Sequence, residues 1–135
     1  MTATEAYLDV ANRYISSCEE HITNNIDIQE VLGFKSYHAF ESVGGAFNSY
    51  RGETIPRRHQ DKINLFVLNA RREGLPNQKA IATIAILLNS LRNKCLYPDF
   101  DGTNYISTQD QISLSDAKNL VRRVKGIITT IERQV

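Results

Sequence analysis

A chain of 135 residues with 41% apolar side chains and a net charge of +1 has material for one hydrophobic core and not for two ordinary ones. Its longest apolar run, Ala80 to Leu88, is too short to span a bilayer. Met1-Thr2-Ala3-Thr4-Glu5 carries no basic segment leading into an apolar block, so no secretory signal is visible and a cytoplasmic location is expected. The charge is unevenly spread: residues 1–50 hold two basic and seven acidic side chains, residues 51–135 fourteen and eight. Such a layout permits a basic face for nucleic acid, and equally ordinary solvated helix surfaces.

The first predicted helix runs from about Thr4 to Ile22, with Tyr7, Leu8, Ala11, Tyr14, Ile15, Cys18 and Ile22 on one stripe. Asn24-Asn25 breaks it. A short helix from Asp27 to Leu32 is expected next, capped by Asp27 and ended by Gly33. The following helix, Lys35 to Tyr50, contains Gly44-Gly45. Each glycine costs roughly 1 kcal/mol there relative to alanine, which points to a kink or a close backbone crossing. Thr54 and Pro56 read as the cap and early-turn proline of a helix reaching Arg72. Pro76 opens a helix that is apolar almost all round, the pattern of a central element. Tyr97 precedes Pro98 and is pushed out of the α region, so this helix should stop near Leu96. Residues 98–112 form a polar loop with no strand expected. Ser113-Leu114-Ser115-Asp116 then caps a last helix with a strong apolar stripe. The pattern is that of an all-α, antiparallel up-and-down bundle of four to five helices.

Arg92 and Asn93 lie on the last turn of the greasy fourth helix, with Lys94, Tyr97 and Asp99 at its edge. A guanidinium anchored by a packed helix can hold phosphate with its planar fork. It can equally cap its own helix's carbonyls. A second basic cluster, Arg57, Arg58, His59 and Lys62, opens the third helix. His38 falls among aromatic core positions and reads as packed, His21 as solvated. Cys18 and Cys95 lie on apolar stripes and read as core thiols rather than a disulfide or metal pair. No glycine-rich phosphate loop or cluster of metal ligands is present, so no cofactor or metal is expected.

Taken in order, four features resemble the HEPN superfamily of small all-α bundles in prokaryotic toxin–antitoxin and defence systems. They are an amphipathic first helix; Tyr37-His38-Ala39-Phe40-Glu41 in the second; Pro56-Arg57-Arg58-His59 opening the third; and Arg92-Asn93 with Tyr97-Pro98-Asp99 before a capped final helix. The resemblance covers residues 5–134 and implies one HEPN-like domain over 1–135. It implies a homodimer whose fourth helices face each other across a groove that binds RNA or nucleotide. It further implies a metal-independent endoribonuclease using an arginine followed, after four to six residues, by a histidine. Here Tyr97 stands at the histidine position, and no histidine follows Arg92. Proton transfer near pH 7 suits an imidazole with a pKa of about 6.5 and not a phenol near 10. His59 is the remaining histidine for the role, against a structural place at a helix start. The catalytic set expected from the resemblance is therefore Arg92, Asn93, Tyr97 and His59, with Arg57, Arg58, Lys62 and Lys94 for phosphate. A catalytically silent module that dimerises and binds a protein partner, such as a nucleotidyltransferase antitoxin, is the alternative.

Overall fold

A computed structural model describes residues 1–135. Five helices carry the fold: α1 (Ala3–Thr23), α2 (Gln29–Tyr50), α3 (His59–Arg72), α4 (Gln78–Leu96) and α5 (Leu114–Gln134). One core of 26 buried side chains draws on all five, confirming an all-α bundle. No helix is long and apolar enough to cross a membrane.

Helix α1 starts with a full capping box: the Thr2 hydroxyl accepts from Glu5 N and the Glu5 carboxylate accepts from Thr2 N. Ser113 caps α5 through Asp116 N without the reciprocal bond. Helix α4 ends at Leu96, and Tyr97 takes an extended backbone ahead of Pro98, as the pre-proline rule requires.

Several boundaries differ from those read in the sequence. The short helix at Asp27–Leu32 and the helix from Lys35 are one continuous α2, entered at Ile28 with no side-chain cap. Gly33 is interior. A methyl there would come within 2.7 Å of Cys95 Sγ, so the glycine lets α4's last turn lie close and does not end a helix. Helix α3 begins at His59 rather than near Pro56, with Arg58 at the cap position. The polar loop holds a two-stranded antiparallel hairpin, β1 (Asp99–Phe100) and β2 (Tyr105–Ile106), then a single 3₁₀ turn at Thr108–Asp110. Asp101 Oδ1 accepts from Thr103 N and Asn104 N, and Gly102 takes φ +96, which together turn the chain.

The central element is α2, not α4. Helices α1, α3, α4 and α5 all pack on it, and it buries twelve residues. Gly44 and Gly45 make this possible, with Phe66 of α3 seated on the first and Tyr7 of α1 on the second. The nearly all-round apolar α4 leaves Ile86 76% exposed. Cys18 and Cys95 are buried free thiols, and burial pushes both up to about 11.

Candidate functional site

Side chains from α2, α3 and α4 meet on one face of the bundle. Tyr37 and Glu41 lie one turn apart and share a side of α2. His59 and Lys62, three residues apart, share a side of α3 and both reach Glu41. His59 Nδ1 stands 2.8 and 2.9 Å from the two Glu41 oxygens, and Lys62 Nζ donates to Oε1 at 3.1 Å. The Glu41 side chain is only 10% exposed, against 46% for His59. From the last turn of α4, Arg92 brings its guanidinium over the Tyr37 ring, Cζ 5.7 Å from the centroid. The His59 ring lies 6.2 Å from the same centroid.

Arg92 is therefore half-buried and held. It does not cap its own helix: its one side-chain hydrogen bond, at 3.4 Å, runs to Asn93 Oδ1. Its Nε is shielded from solvent and has no partner, so the guanidinium donates less than it can. Burial drives the Tyr37 phenol pKa upward. The charge of Glu41 and a hydrogen bond to it add to the rise, and Arg92 opposes it. Tyr37 is accordingly a packing platform that keeps its proton.

His38 borders the same cluster, stacked on Tyr14 at 5.3 Å and edge-on to Phe34 at 4.4 Å, the packed histidine expected from its neighbours. Burial lowers its pKa, with His59, Arg92 and Lys62 acting in the same direction and Glu41 against them. His21 is half-buried rather than solvated: Nε2 lies 3.4 Å from Lys35 Nζ and Nδ1 is shielded and unpartnered.

The residues expected to act together are divided. Arg92, His59 and Lys62 converge on Tyr37 and Glu41. Arg57 and Arg58 are exposed just ahead of α3, whose N-terminal end is already positive. Asn93, Lys94 and Tyr97 instead line a shallow cleft with Asp99 and Gln111 beside the hairpin. Lys94, about 200° round the helix from Arg92, leaves α4 on the other side. Tyr97 is 61% exposed, and its carbonyl, not its phenol, is bonded, accepting from Gln111 Nε2.

Sequence reading missed Glu41 and Tyr37 as members of the site. A signal for Glu41 existed: it is an acid beside Phe40 in the most apolar stretch of α2, where a carboxylate needs partners. No group of three or more His, Cys, Asp or Glu side chains comes together that could hold a metal ion. Compared with family models, curated proteins and solved structures, the chain finds no match in any of the three.

Proposed function

We propose that this chain is a HEPN-like protein of a prokaryotic toxin–antitoxin or defence system that holds RNA by its phosphates at the Arg92 face. The observation that carries the reading is Arg92 itself. A guanidinium seated over Tyr37 and lacking a carboxylate partner keeps its fork for an anion. Around it, Arg57, Arg58 and Lys62 gather cations at the positive end of α3, an arrangement that costs stability unless an anion is bound. No larger cleft of the molecule is lined by Arg92, His59 or Glu41. An open face suits a polymer backbone better than a mononucleotide, which is normally enclosed. Homodimerisation through α4 is part of the same proposal.

Fluorescence anisotropy with a single-stranded RNA oligonucleotide tests it. Arg92→Ala and the Arg57→Ala/Arg58→Ala pair should each weaken binding and flatten its salt dependence. Affinity unchanged in both would remove the phosphate site.

A second reading, a silent module for a protein partner such as a nucleotidyltransferase, draws on a different observation. Ile86 and Leu87 are exposed on α4, and Tyr97 occupies the expected histidine position. Ile86→Asp should abolish association with a second copy or partner while leaving RNA affinity intact; the phosphate reading predicts the reverse for Arg92→Ala.

A further inference from the structure

We propose that Glu41 positions His59 to act as the proton acceptor of an RNA-cleaving site on this face. The inference rests on the phosphate-binding reading above and adds to it the reaction and the group that performs it.

An ionised carboxylate only accepts hydrogen bonds, so the His59 nitrogen 2.8 Å from Glu41 must carry the hydrogen. That fixes the Nδ1–H tautomer and leaves Nε2, which has no partner within the chain, as the titrating atom. A second observation makes the pair more than a clip between helices. Glu41 is nine-tenths buried and would be costly unpaired, but Lys62 already neutralises it at 3.1 Å. Charge balance therefore does not require His59 to be protonated, and a neutral imidazole can coexist with the buried carboxylate. Lys62 supplies the charge, and His59 is left free to gain and lose a proton. A base oriented by a carboxylate and still 46% exposed has the geometry that proton abstraction needs.

Arg92 stands across the same aromatic ring, so the guanidinium and imidazole are separated by little more than the width of Tyr37. A ribose and its 3′-phosphate can touch both. His59 Nε2 takes the proton of the 2′-hydroxyl, and the 2′-oxygen attacks the adjacent phosphorus. The O2′–P bond forms as the P–O5′ bond breaks. The 5′-oxygen leaves with the electron pair and takes a proton from water, and the imidazolium proton neutralises the hydroxide left behind. The products are a 2′,3′-cyclic phosphate and a 5′-hydroxyl, with no metal in any step. Arg92 holds the non-bridging oxygens as their charge grows, and Glu41 stabilises the imidazolium while it exists. Tyr37 keeps its proton throughout and acts as the spacer.

The test uses the purified full chain, a single-stranded RNA oligonucleotide and its all-2′-deoxy counterpart. Binding is followed by anisotropy and cleavage by product analysis. Wild type should cut the RNA to a cyclic-phosphate end and leave the deoxy strand whole. His59→Gln should lower kcat at least 100-fold, with RNA affinity within about two-fold. Glu41→Gln keeps the shape but loses the charge. It should lower kcat with little change in KM and move the acidic limb of the pH–rate profile to lower pH, because the imidazolium loses its counter-charge. The other groups facing His59 (Tyr37 and His38 of α2, Lys62 of α3, Arg92 of α4) are unchanged in that variant. Glu41→Asp should restore part of the rate.

A purely structural Glu41 would reduce stability and leave the pH limb where it was, overturning the proposal. Should Glu41→Gln fail to fold, the half-exposed His59 carries the test alone, and a folded His59→Gln that cleaves like wild type is equally fatal. RNA bound but never cut overturns this proposal and leaves the phosphate-binding reading standing. No RNA bound removes both.

Discussion

Two helical glycines should respond in opposite directions to the same substitution. Replacing glycine by alanine inside a helix gains about 1 kcal/mol from backbone entropy. At Gly126 of α5 nothing lies within 4 Å of the added methyl, so Gly126→Ala should realise most of that gain, about 0.5–1 kcal/mol. At Gly44 the methyl would stand 2.8, 2.9 and 3.0 Å from Cδ2, Cγ and Cβ of Phe66. Phe66 is fully buried between Phe40 and Phe47, at centroid distances of 5.4 and 6.1 Å, and its Cβ is tied to the α3 backbone. It cannot swing clear, so α3 must move. Overpacking of this kind costs about 1–3 kcal/mol, which exceeds the propensity gain and leaves Gly44→Ala about 1 kcal/mol less stable than wild type. The two variants should thus differ by about 2 kcal/mol. With a urea dependence of about 1–3 kcal/mol per molar, their midpoints should lie about 1 M apart. Circular dichroism during urea titration reads this directly. A Gly44→Ala midpoint at or above that of Gly126→Ala would show that α2 and α3 do not cross at that glycine.

Leu88 is fully buried within the chain and Ile86 is exposed one turn away, so the two should fail differently. Leu88→Asp should unfold the protein, several kcal/mol being lost to an unpaired buried charge. Ile86→Asp should keep the melting temperature within a few degrees and lower only the mass of any assembly, read by light scattering; a folded Leu88→Asp would mean α4 is wrongly oriented. Acid sensitivity should trace in part to His38. Its folded pKa lies below the usual 6.5, so its contribution to stability is present above that pH and is lost as the pH falls through the folded value. His38→Phe should lose less stability than wild type between pH 7 and 5, and parallel pH curves would count against the buried, neutral state.

Apolar spacing of three and four along the chain determined five helical regions, because helical periodicity is a property of residues a turn apart. Local chemistry likewise determined the stop at Tyr97-Pro98, the Ser113 cap and the close crossing at Gly44-Gly45. Only the tertiary structure decided that α2 runs through Gly33: a glycine reads locally as a terminator, but Cys95 from another helix needs the space it leaves. The same holds for which helix is central, since an apolar surface shows that a helix can be covered and not by what. The site followed the same division. Arg92 and His59 could be singled out by residue type, whereas Glu41 acquires a role only because α3 brings His59 and Lys62 onto it, and α4 brings Arg92 to Tyr37. Those meetings are set by interhelical packing, which no local pattern encodes.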